Sequence, residues 1–167
     1  MEPGARSVEP PGEIADAHRS KKLVSLRSRA LKLLARRDYS VVELERRLAP
    51  YASEPGELAT LLVDLQRLGW LSERRLAEQL VRKGEARYGT RRIVEQLQER
   101  GIDWEIAGTL KNELRASELQ WARVVWAKRF GHLLGDLRER GQQARFLERR
   151  GFDPDVIRRV LRGALEE

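Results

Sequence analysis

From residue 23 onward, apolar stripes and short polar breaks alternate at helical rather than strand spacing. Leu23, Leu26, Ala30, Leu31, Leu33 and Leu34 form the first stripe, with Arg27, Arg29, Lys32, Arg36 and Arg37 opposite, and the stripe stops at Asp38-Tyr39. Ser40 then stands three residues before Glu43, the spacing of a capping box, in which each end satisfies the other's orphan N–H. The helix it opens directs Val41, Leu44 and Leu48 inward and ends before Pro50. A third helix starts near Pro55, where the missing proline N–H costs nothing. It runs through Leu58, Leu61, Leu62, Leu65 and Leu68 to a left-handed cap at Gly69, with Trp70 and Leu71 packing back over its end.

The plan then recurs. Ser72 caps a helix carrying Leu76, Ala77, Leu80 and Val81; Tyr88-Gly89-Thr90 turns the chain; Ile93 and Leu97 lie on a middle helix ended by Gly101. Asp103 caps a helix with Ile106, Ala107, Leu110 and Leu114 at core spacing. A separate helix follows with Trp121, Ala122, Val124, Val125 and Trp126, then a loop around residues 131–135. Leu137 begins or precedes a helix containing Ala144, Phe146 and Leu147, closed by Gly151. Asp153-Pro154 opens the last helix, lined by Val156, Ile157, Val160 and Leu161. Alternating runs of β-branched residues are absent, so no sheet competes with this reading.

Leu97-Gln98-Glu99-Arg100-Gly101-Ile102-Asp103 maps onto Leu147-Glu148-Arg149-Arg150-Gly151-Phe152-Asp153 at an offset of 50, which also brings Ile106 onto Val156 and Leu110 onto Val160. An offset of 49 aligns Leu44 and Leu48 with Ile93 and Leu97, and Ala30, Ala77 and Ala122 mark the first helices. Units this small gain stability by stacking. The expected fold is all-α: three tandem three-helix repeats forming an elongated, curved array. The expected divisions are a disordered tail over 1–22, rich in Pro and Gly, then repeats over 23–70, 71–115 and 116–167. The first copy is the most divergent, with Ala52 where the others have glycine.

Charge narrows the function. The 167 residues carry a formal net charge of +7, and the charges of the tail cancel. The excess lies in 27–54 and most strongly in 115–162, where 12 Arg or Lys face 6 Asp or Glu. Such a balance favours nucleic acid or an acidic protein surface, although an organism with Arg-rich proteins produces the same balance without any such partner. With no cysteine, disulfides and thiolate metal sites are excluded. His18 and His132, the only histidines, are far apart in sequence and lack ligand-like spacing. No Walker-type loop, dinucleotide motif or convergent acid and base is present, so no enzyme, cofactor or metal is expected. No apolar run is long enough to span a membrane and the N-terminus lacks a signal-peptide core, so a cytoplasmic protein is expected.

The remaining chemistry is electrostatic. Arginine outnumbers lysine, and its planar fork suits phosphate or carboxylate. Candidate contact residues are Arg36, Arg37, Arg46 and Arg47 in the first repeat and Arg87, Arg91 and Arg92 around the Gly89 turn in the second. In the third they are Arg145, Arg149, Arg150, Arg158 and Arg159. Each could equally belong to a solvated helix face; Glu43 with Arg47, and Glu95 with Arg91, read as ordinary helix-face support. Trp70, Trp104, Trp121 and Trp126 are candidate stacking platforms, with core packing the better expectation.

Gly69-Trp70-Leu71-Ser72-Glu73-Arg74-Arg75-Leu76-Ala77 and Tyr88-Gly89-Thr90-Arg91-Arg92-Ile93, followed by Leu97 and Arg100-Gly101-Ile102, resemble the bacterial RecX family. The segment Arg29–Arg37 with Ser40, Glu43-Leu44 and Leu48, and the closing Phe146–Phe152 with Ile157 and Val160-Leu161, are similar to the same family, so the resemblance spans roughly 26–162. Two positions depart from its pattern: Leu76, where an aromatic residue is common, and Ser72-Glu73, where two acidic residues are common. The resemblance implies tandem three-helix units and regulation of the RecA recombinase, mainly inhibition, with the protein lying in the groove of the RecA–DNA filament. It implies as partners the RecA filament and single- or double-stranded DNA, weakly and without sequence preference, and supplies no catalytic residue. A monomer is expected. The alternatives are a direct DNA-binding helical module, which would bind naked DNA tightly, and a structural adaptor, which would leave the arginines scattered.

Overall fold

A computed structural model describes residues 26–131 and 136–166. The tail over 1–22, Leu23, both histidines and residues 132–135 of the expected 131–135 loop lie outside the described residues. Everything regular among the described residues is helical. Helix α1 covers residues 26–34, α2 Val41–Leu48, α3 Pro55–Arg67 and α4 Glu73–Glu85. Helix α5 is Thr90–Glu99, α6 Trp104–Phe130, α7 Leu137–Arg149 and α8 Pro154–Glu166, and a short 3-10 turn over Ala49–Tyr51 follows α2. The chain separates into two compact units, one of residues up to Asp38 with Leu44–Leu71, the other of Tyr39–Glu43 with the residues from Ser72 on.

In the first unit Leu26, Ala30, Leu44, Leu48, Leu58, Leu61, Leu62, Leu65 and Leu71 are buried. Each buried leucine contributes on the order of 1.5–3 kcal/mol of hydrophobic free energy. Pro50 sits inside the 3-10 turn and Pro55 opens α3, the places a missing N–H is tolerated. Gly69 adopts a φ of 76°, and Leu71 donates its N–H to the Leu65 carbonyl at 3.1 Å. Leu71 folds back as its sequence suggests, but Trp70 does not: it is 54% exposed.

The second unit holds two hydrophobic clusters. In the first, α4, α5 and the start of α6 enclose Leu76, Ala77, Leu97, Ile102, Ala107 and Leu110. In the second, the end of α6 with α7 and α8 encloses Ala122, Val125, Trp126, Leu147, Phe152, Val156, Ile157 and Val160. Phe130 and Phe146 meet edge-to-face with centroids 5.1 Å apart, and the Trp126 Nε1 donates to the buried Gln143 Oε1 at 2.8 Å. Val124, placed among core residues by its sequence neighbours, is 57% exposed on the far side of α6.

The main departure from the sequence pattern is α6 itself. Where two helices are expected, one continuous helix of 27 residues runs from Trp104 to Phe130, and the expected boundary after residue 115 falls inside it. Arg115-Ala116-Ser117-Glu118-Leu119-Gln120 contains no glycine or proline to stop it. The Ser117 hydroxyl donates back to the Glu113 carbonyl at 3.3 Å instead of capping a new helix. One helix therefore serves both cores.

The caps follow the sequence closely. Ser40 and Glu43 close the capping box with two bonds of 3.1 Å, and the Ser72 Oγ accepts from the Arg75 N–H. Asp103 and Asp153 each accept the N–H two residues on, at 2.8 Å. Gly101 and Gly151 both have positive φ, and Ile102 and Phe152 donate to the carbonyls of Leu97 and Leu147. At Gly89 the requirement is space: a Cβ there would lie 2.3 Å from the Phe152 nitrogen and 2.4 Å from the Gly151 oxygen.

Candidate nucleic-acid interface

Concave sites in both units gather charged side chains. In the first unit a cleft of about 270 Å³ opens between α1 and the end of α2 with its 3-10 turn. Helical spacing puts Arg29, Lys32 and Leu33 on one side of α1, with Arg36 in the turn that follows it, and Arg47, Leu48 and Tyr51 close the other side. The floor is leucine and the rim is cationic; no acidic residue lines it. The Arg29 guanidinium lies over the Tyr51 ring, 4.0 Å from its centroid, and the ring remains 53% exposed. The sequence points to Arg36 and Arg47 as contact candidates but gives Arg29 and Lys32 only as part of a polar helix face, and Tyr51 not at all. Their signal was the run of cations three and four apart along α1, but only the fold brings Tyr51 to it.

The second site, about 330 Å³, lies among α5, α6 and α8. Arg91, Lys111 and Arg115 line it together with Glu95, Glu118 and Asp153. The acidic groups are already engaged. Glu95 pairs with Arg92 at 3.1 Å, correcting the expected Glu95–Arg91 pair, and Arg91 instead donates to the Glu148 carbonyl at 3.2 Å. Glu118, 1% exposed, accepts the Thr90 N–H at 3.0 Å and the Asp153 N–H at 3.3 Å through the same oxygen. It thereby ties the start of α5 to the cap of α8. The nearby Thr90 Oγ1 is buried with no partner among the described residues.

Glu73 repeats this arrangement earlier in the chain. Its two oxygens accept the Val41 N–H at 2.7 Å and the Asp103 N–H at 3.1 Å, joining the first residue of α2 to the cap of α6. Arg100 adds a second tie to the same segment, donating to the Glu43 carboxylate, with its Nη2 at 3.0 Å. Both glutamates follow a serine, and one offset of 45 maps Ser72-Glu73 onto Ser117-Glu118 and Ala77 onto Ala122. That offset is the sequence signal by which the pair could have been found.

The other arginines are spread more widely. Arg150, half-buried, stacks on Phe146 at 4.4 Å and donates to the Arg87 carbonyl at 2.9 Å, so it braces the fold. Arg158 pairs with Asp155 at 2.9 Å, and Arg37 donates to the Asp38 carbonyl. Arg46, Arg87, Arg145, Arg149 and Arg159 are exposed and line neither cleft. Of the tryptophans, Trp126 is buried and Trp121 is half-buried, its Nε1 donating to the Tyr88 carbonyl at 3.0 Å. Trp104, expected in the core, is 77% exposed because the first position of α6 points outward. Among the described residues no cluster of His, Asp or Glu could hold a metal, and no helix is long and apolar enough to cross a membrane.

Residues 116–161 match the family model described as RecX, third three-helix domain. The chain is 41% identical over 141 residues to the regulatory protein RecX of Ralstonia nicotianae, covering 84% of this chain and 89% of that one. It is 44% identical over 144 residues to the regulatory protein RecX of Leptothrix cholodnii, covering 86% and 92%. The chain belongs to the RecX family. The fold agrees: the crystal structure of RecX from Lactobacillus salivarius superposes with a TM-score of 0.76 at 19% identity, over 89% of this chain and 99% of that one. A second RecX crystal structure gives 0.72 at 16% identity, over 98% of this chain and 83% of that one.

Proposed function

We propose that this chain regulates the RecA recombinase by binding its filament on DNA, mainly to inhibit it, in recombination and repair. Membership of the RecX family is the observation that carries this reading. The basic surface of the first unit supports it, because a protein that works along a nucleoprotein filament meets phosphate as well as protein. In this reading the protein acts in the cytoplasm as a monomer, and its linked helical units contact more than one RecA subunit. Several modest contacts on linked units then add as an effective concentration, so tight binding needs no deep pocket.

The test is RecA-dependent ATP hydrolysis on single-stranded DNA, titrated with this protein. Hydrolysis is expected to fall at ratios well below one protein per RecA. An unchanged rate at every ratio sinks the reading. The cationic cleft also favours a second reading, a direct DNA-binding module; that reading requires tight binding to naked duplex at physiological salt.

A further inference from the structure

We infer that the cleft between α1 and the α2 end of the first unit is a binding site for single-stranded nucleic acid, with its cations on the phosphates and Tyr51 stacking on a base. This deepens the proposed contact with DNA, but its chemistry is independent of RecA. Three observations converge on it. The rim carries Arg29, Lys32, Arg36 and Arg47 with no acidic residue among the lining side chains, so the local field is of one sign. The cleft is concave, with a leucine floor and a volume of about 270 Å³, on the scale of one nucleotide. Tyr51 is an exposed aromatic ring braced by the Arg29 guanidinium at 4.0 Å.

An acidic peptide would use the cations but not the ring. Duplex DNA would use the phosphates but keeps its base faces stacked away from a tyrosine. Only an unpaired strand offers both a phosphate ladder and a free base face, the combination that sequence-tolerant single-strand sites use. Arg29 and Lys32 lie on one face of α1 and Arg36 in the turn just beyond its end, so the backbone is expected to track α1.

The experiment is fluorescence anisotropy of the full chain with a labelled 20-nucleotide single strand, its duplex and a salt series, all without RecA. Tyr51→Leu is expected to weaken single-strand binding about tenfold and leave the salt slope unchanged. Tyr51→Phe should bind as the parent does. The double variant Lys32→Ala with Arg36→Ala should make the slope of log K against log salt shallower by about 1.4. Arg67→Ala, which removes an exposed cation of the same unit away from the cleft, should have little effect. Three results would each overturn the inference: an equal loss on duplex for Tyr51→Leu, competition by polyglutamate as effective as by unlabelled strand, or no loss in either cleft variant. Because RecA is absent, these outcomes are separable from the ATP hydrolysis test: either can fail while the other stands.

Discussion

The two clefts are close in size, about 270 and 330 Å³, yet their charges do different work. In the second unit each cleft carboxylate has a partner within the fold: Glu95 on Arg92, Asp153 on the Asp155 N–H, and Glu118 on two N–H groups. Three cations and three acids line that cleft, and Glu118 holds the start of α5 to the cap of α8. In the first unit four cations rim a leucine floor, and no acidic side chain lines the cleft. The lesson is that a count of arginines locates neither site. What separates the two is whether acidic side chains share the cleft lining with the cations. Substitutions in the second unit should therefore cost stability, and those in the first should cost affinity.

The largest effect is expected at the close approach that builds the second unit. Gly89→Ala puts a Cβ against the backbone of Gly151 and Phe152 and should destabilise by about 3 kcal/mol or more, read by urea unfolding followed by circular dichroism. Next come the glutamate ties. Glu118→Ala leaves two N–H groups without their acceptor in a buried setting and should cost about 2–4 kcal/mol in the same assay. Glu73→Ala, at a half-exposed position where water can replace the carboxylate, should cost about 1–2 kcal/mol. An equal cost at both sites would break the distinction between a buried and a wetted tie. Thr90→Val should reverse the sign: it removes a buried hydroxyl that has no partner among the described residues and should raise stability by about 0.5–1 kcal/mol. Smallest of all, Arg74→Ala breaks an exposed i,i+4 pair with Glu78 and should change stability by only about 0.3 kcal/mol.

Much of the helical plan was legible because its signals are local. The Ser40–Glu43 box needs four residues, and Gly69, Gly101 and Gly151 each end a helix by adopting a conformation other residues resist. The same locality misled at α6. An apolar stripe that changes face, from Leu114 to Ala122, reads as two helices, although the backbone has nothing to break it. The tryptophans show the opposite failure. Trp104 and Trp126 are the same residue type at helical positions, and only the packing of neighbouring helices leaves one outside and buries the other.

The candidate interface was half legible. Arg36 and Arg47 belong to basic runs visible in the chain, but so does Arg150, which the fold uses as a brace. Sequence by itself determined the all-α class, the caps, the glycine helix ends and the repeated Leu-Gly-apolar-Asp motif, since each depends on residues within one or two turns of each other. Tertiary structure alone decided which charges meet: Glu118 with Thr90 and Asp153, Arg100 with Glu43, and Tyr51 with Arg29. Such pairings depend on how separate helices pack, and a helix exposes many polar side chains that are equivalent until its neighbours are in place.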